Sequence, residues 1–174
     1  MLYILIIIGV ASRLLPHPPN FAPLMALGLF AGAYLNKKTA YLVPIAAMLI
    51  ADYFIGFYDF RIMLSVYLCF GIGSFLGVLL KDNKTVSKLA VSTIVASVIF
   101  FIVTNFTLWY YGGFYDQTAD GLILCYTMAI PFFANSLLGN AVYVLFFFGS
   151  YELFGKQIDL QLYEKLQTVK IKHD

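Results

Sequence analysis

The chain has 174 residues, 61% of them hydrophobic and 11% charged, with a formal net charge of +2 and a mean hydropathy of +0.85. Soluble chains carry about 25% charged residues, so this composition excludes an ordinary water-soluble domain. So small a net charge also gives no reason to expect nucleic acid as a partner.

Several apolar runs approach the roughly 20 residues needed to cross a hydrocarbon core. The expectation is an all-α integral membrane protein: six transmembrane helices in one domain, residues 1–155, then a tail, residues 156–174. The first run, Leu2–Leu15, has no basic segment before it and no small-residue cleavage site after it, so it reads as a retained helix. It stops at Leu15-Pro16-His17-Pro18-Pro19-Asn20-Phe21-Ala22-Pro23, where four prolines in eight residues forbid a continuous helix. Helix 2 is expected from an N-cap at Asn20 to Asn36, with Pro23 tolerated in its first turn. Helix 3 is expected at Thr39–Tyr58, carrying Pro44 and Asp52, and helix 4 at Arg61–Leu80. A hydrophilic stretch from Lys81 to Lys88 precedes helix 5, Leu89–Tyr110, and Gly112-Gly113 breaks the chain after it.

From Gly121 to Tyr151 there is no charge, and as one helix that run would measure about 45 Å. Pro131 suggests a division into a short interfacial helix, Thr118–Ala129, and helix 6, Pro131–Leu153; the alternative is one long, kinked helix. The tail, Lys156–Asp174, has Ile158, Leu162, Leu166 and Val169 at helical spacing, which fits either an amphipathic surface helix or a frayed end.

Lysine and arginine set the orientation. One side holds Lys37, Lys38, Lys81, Lys84, Lys88, Lys156, Lys165, Lys170 and Lys172, nine in all, and the other holds only Arg13 and Arg61. Both termini are therefore expected in the cytoplasm, with the chain in the inner (plasma) membrane. The connections Pro16–Pro19, Tyr58–Phe60 and Tyr111–Asp120 then face outward. Helices 1 and 2 are short of a full crossing, so the proline-rich connection is expected to dip below the outer surface, where irregular backbone survives only against a cavity or under protein.

The candidate ligand-binding residues follow from that placement: Arg13, His17, Asn20, Asp52, Arg61, Asn105, Trp109, Tyr115 and Asn135. Seven of them have a plainer reading beside the functional one. His17 is a ligand-facing imidazole in a rigid frame or a solvated loop histidine. Arg13 and Asp52 are intramembrane charges that contact a ligand, or pair and lock helix 1 to helix 3. Asn105 and Asn135 face a pocket or bond between helices, and the deeper Asn140 reads as structural. Trp109 and Tyr115 belong to an aromatic wall or to an interfacial belt. Small residues at Ala22/Ala26, Gly28/Gly32 and Gly73/Gly77 permit close helix packing, inside the bundle or against a partner. Cys69 and Cys125 read as buried free thiols. No HExxH, GxSxG or Walker A pattern occurs, and His17 has no second histidine on its side. The expectation is a non-enzyme without metal or cofactor.

Arg13-Leu14-Leu15-Pro16-His17-Pro18-Pro19-Asn20-Phe21-Ala22-Pro23, then Ala26-Leu27-Gly28-Leu29-Phe30-Ala31-Gly32-Ala33, resembles the opening signature of a family of small bacterial membrane proteins of unknown function. Later runs carry the same resemblance: Phe100 to Phe106 with Trp109, Gly121-Leu122 with Cys125-Tyr126, and Ile130 to Asn140. Together they cover roughly residues 10–148. In size and layout that family is similar to the substrate-binding S components of energy-coupling factor (ECF) vitamin transporters. The resemblance implies an S-component-like bundle that captures a vitamin- or cofactor-sized molecule from outside, then docks on a transmembrane scaffold driven by two ATPases. Helix 1 offers Gly9, Ala11 and Ser12 where S components often carry an AxxxA docking motif. The alternative is a structural or assembly protein in the bilayer whose outer face binds a protein partner.

Overall fold

A computed structural model describes residues 2–155, and every regular element among them is helical. The helices are α1 (Leu2–Leu14), α2 (Leu24–Tyr34), α3 (Lys37–Ile55), α4 (Phe60–Leu79), α5 (Val86–Tyr111) and α6 (Ala119–Ser150), closed by a π-helical turn, Tyr151–Gly155. Four of them, α3 to α6, are long and apolar enough to cross a membrane, whereas α1 and α2 are shorter. The amphipathic-or-frayed tail expected after Gly155 lies outside the described residues.

α2 is the centre of the bundle. It packs against α3, α4, α5 and α6, most extensively α4, while α1 packs mainly against α3 and touches α2 at Gly9. Every residue from Leu24 to Ala33 is buried, as befits a helix that is apolar all round. The paired glycines make this position possible. A Cβ on Gly32 would stand 2.6 Å from Val78 N, and one on Gly77 would stand 2.8 Å from the Leu29 carbonyl carbon. The small residues of α2 and α4 are thus used inside the bundle, where they let two backbones touch. Cys69 and Cys125 are buried free thiols.

Helix starts depart from expectation for local reasons. Helix 2 does not begin at Asn20. Asn20 has φ 62°, and Phe21 N–H donates to Pro18 O at 3.0 Å. Proline second and a left-handed residue third is the pattern of a type II turn, and Asn tolerates that conformation. The helix starts three residues later, with Pro23 at the cap and no side-chain bond. α3 ends at Ile55, before Tyr58, because Gly56 turns the chain at φ 112°. α5 begins earlier than expected because Thr85 Oγ1 accepts from Lys88 N–H.

The largest correction concerns Pro131. No break separates an interfacial helix from helix 6; α6 runs unbroken for 32 residues with Pro131 inside it. Gly121, Cys125 and Ala129 are buried before the proline, and Ser136, Asn140 and Val144 after it. The buried stripe keeps helical phase across Pro131, so one face stays against its neighbours throughout. Pro131 and Thr127, whose carbonyl loses its helical donor, are both exposed, so the gap in the bonding falls on the outer face of the bundle.

Candidate ligand site

At about 1.5 Å per residue, the 11 residues of α2 span about 16 Å, half the thickness of a hydrocarbon core. The bundle interior beyond its N-terminus is not filled by helix. A cavity of about 460 Å³ lies there, within the range of small-molecule sites. The connection between α1 and α2 supplies His17, Asn20 and Ala22 to its lining, and α2 supplies Leu24 and Met25. Ile55 and Tyr58 come from the end of α3, Val66 and Phe70 from α4, Phe100 from α5, and Ser136 and Asn140 from α6. Arg13, in the last turn of α1, completes the wall. A smaller space of about 240 Å³ shares Asn20, Val66, Phe100 and Ser136 with the first and extends to Thr104 and Asn105.

The polar groups are held by identifiable partners. Arg13 Nη2 donates to Asp52 Oδ1 at 2.6 Å, and Tyr67 Oη donates to Asp52 Oδ2 at 2.8 Å. The Asp52 carboxylate is fully buried behind Arg13 and does not line the cavity. This pair joins α1 to α3, and Arg13 Nε remains without a partner. In the connection after α3, burial pushes the Tyr58 hydroxyl up to about 12; Asp52 adds to the shift and Arg13 opposes it. The proline-rich connection is tied to α6 by Asn135 Nδ2, which donates to Pro19 O at 3.1 Å.

At the floor, Asn140 Nδ2 donates to Ser97 Oγ at 2.9 Å, while Ser97 Oγ donates to Thr93 O at 2.8 Å. Since the serine proton is committed to Thr93, Ser97 can only accept, which fixes the amide with its Oδ1 turned the other way. Ser136, one helical turn earlier, is the one buried polar side chain that makes no hydrogen bond among the described residues.

The sequence candidates therefore divide. Arg13, His17 and Asn20 meet in the main cavity, and Asn105 lines the adjoining one. Asp52 and Asn135 sit one contact behind, orienting Arg13 and the connection. Arg61 is elsewhere: it pairs with Asp59 at 2.8 Å and stands 4.4 Å over the Tyr111 ring. The Arg61 bond holds the Asp59 carboxyl down to about 2. Trp109 Nε1 donates to Asp116 O at 2.9 Å, stapling the loop between α5 and α6. Tyr115 lies half-buried in that loop and lines neither cavity. Sequence reasoning missed Ser136 and Tyr58; its structural reading of Asn140 agrees with the bond to Ser97, though Asn140 also lines the cavity. The i, i+4 spacing of Ser136 and Asn140 was the available signal, because it puts both on one helix face.

The model of a family of unknown function (DUF6580) matches residues 1–164. The chain belongs to that family. Nothing among curated proteins or solved structures matches it. The chemistry of the site therefore rests on its own residues.

Proposed function

We propose that this protein is a substrate-binding subunit in the plasma membrane, comparable to an S component, that captures a vitamin- or cofactor-sized molecule from the extracellular side. The observation that carries the reading is the cavity of about 460 Å³ over the short α2, walled on one side by the irregular Pro16–Pro23 connection. Non-helical backbone at that depth is tolerated where it lines such a space. Apolar walls with a few fixed polar groups fit capture of a small molecule, and the protein acts as a binder, not an enzyme. The nine-to-two distribution of Lys and Arg supports an outward-facing site and cytoplasmic termini. Uptake would then depend on an ECF-type scaffold with two ATPases.

The test is thermal stabilisation of the purified protein by a panel of vitamins and cofactors, with a pull-down for an ATPase module. Stabilisation by one compound is expected; no stabilisation together with no captured ATPase would sink the reading. The second reading, a protein-binding outer face, draws support from the exposed Phe57 and Phe114 on the connections and Phe60 at the start of α4. A photocrosslinker on Cys introduced at His17 separates the two, since only the second reading predicts capture of a polypeptide.

A further inference from the structure

The N-terminus of α2 differs from those of the four long helices. Asn36 accepts from Thr39 N–H, Asp59 from Arg61 and Ile62 N–H, Thr85 from Lys88 N–H and Thr118 from Gly121 N–H. Pro23 offers no such bond at the start of α2. The first backbone bond of α2 is from Leu27 N–H to Pro23 O, which leaves the amides of Leu24, Met25 and Ala26 without an acceptor. All three residues are at most 3% exposed. Orphaned amides at a buried helix start are rare, and they carry the positive end of the helix dipole.

An independent observation points to a ligand at this place. Ser136 is 7% exposed, lines both cavities and has an unpartnered hydroxyl. Arg13 stands on the same lining, its charge paired with Asp52 and its Nε sealed from the open space. No aspartate or glutamate lines either cavity. Donors thus converge on a space from which acids are absent, the arrangement that receives an anion at a helix start. Asn140 Oδ1 adds a lone acceptor, suited to an N–H or O–H elsewhere on the same molecule, and Phe70 and Phe100 supply apolar surface for its body.

We infer that the cavity takes a water-soluble organic acid, whose anionic group is held by the α2 N-terminal amides, the Ser136 hydroxyl and Arg13. This rests on the substrate-binding reading above and narrows it to one chemical class. The test uses the full chain in phosphatidylcholine nanodiscs, titrated with acids and their uncharged partners: benzoate and benzamide, nicotinate and nicotinamide, biotin and biotinamide, pantothenate and panthenol. At least one acid is expected to stabilise the protein, with its uncharged partner about tenfold weaker, the loss expected for a charge-assisted set of donors. Ser136→Ala, which removes one oxygen and no helix bond, is expected to weaken that acid about three- to tenfold. Binding should also fade as pH falls below the probe's own acid constant. Equal binding of an acid and its amide would overturn the anion inference and leave substrate binding standing. Stabilisation by added phosphatidylglycerol alone would overturn it in favour of a lipid headgroup. Silence from every probe would overturn the anion inference alone, since the wider vitamin and cofactor panel with the ATPase pull-down decides the substrate-binding reading.

Discussion

The Arg13–Asp52 pair gives the most demanding test of how the cavity wall is held. Arg13→Met keeps most of the apolar stem and removes the charge, leaving a fully buried carboxylate whose remaining bond is from Tyr67. Removing one partner of a buried pair costs about 3–5 kcal/mol. Asp52→Leu should cost less, about 2 kcal/mol for the lost charge-assisted bonds. The difference arises because the Arg13 side chain is 22% exposed at the end of α1, and a long cation near a helix end can reach toward polar surroundings.

The double variant Arg13→Met/Asp52→Leu decides the matter. If the singles added, it would lose about 5–7 kcal/mol. Replacing a buried pair by apolar side chains of similar volume is close to neutral, so the expected loss is about 1 kcal/mol, from the Tyr67 hydroxyl left without its acceptor. Unfolding in mixed micelles, followed by tryptophan fluorescence from Trp109, measures all three. Additivity within about 0.5 kcal/mol would refute the reasoning, since it would mean that the two charges are solvated separately.

Four shorter predictions follow from the same structure. Gly77→Ala should destabilise by about 1–3 kcal/mol, because its Cβ meets the Leu29 backbone, which cannot move alone; Gly71→Ala, with nothing within 4 Å, should gain about 0.5–1 kcal/mol by thermal melting. Asn20→Gly should preserve stability while weakening any cavity ligand, whereas Asn20→Ala should cost about 1–2 kcal/mol at its positive φ; melting and titration separate the two effects. Asp59 sits below its ordinary value of 3.8, at about 2, so its support of the α4 start is present above about pH 4 and is lost as pH falls through about 2. Hydrogen-exchange protection factors at Arg61 and Ile62, whose amides it accepts, should hold above about pH 4 and fall as the pH drops through about 2. For orientation, Phe114→Cys should react with an impermeant maleimide on intact cells and Asn83→Cys only after permeabilisation, over little background from the buried Cys69 and Cys125.

The all-helical class and the identity of the apolar runs were legible in the sequence because hydropathy is summed over many residues. Helix starts were less so, since each turns on a single dihedral or bond: Asn20 carries the residue preference of an N-cap but also that of a left-handed turn, and the turn prevails between Pro19 and Phe21. Pro131 misled for a related reason. In isolation it argues for a break, but its neighbours on both sides keep one buried stripe in phase, and packing decides.

The site was half legible. Arg13, His17 and Asn20 were found because charge and proline stand out against apolar sequence, and the same rule over-selected Arg61, Trp109 and Tyr115, whose partners are local. What no residue pattern announces is that the shortest apolar helix lies at the centre, because burial on all sides and lipid on all sides favour the same side chains. Once α2 is central, the rest is forced by length. Eleven residues reach about half-way across a bilayer core, so the interior beyond Leu24 must be filled by loop, by side chains or by something bound. The connection covers it from above, and the orphaned amides and Ser136 mark the part that the chain itself leaves unpaired.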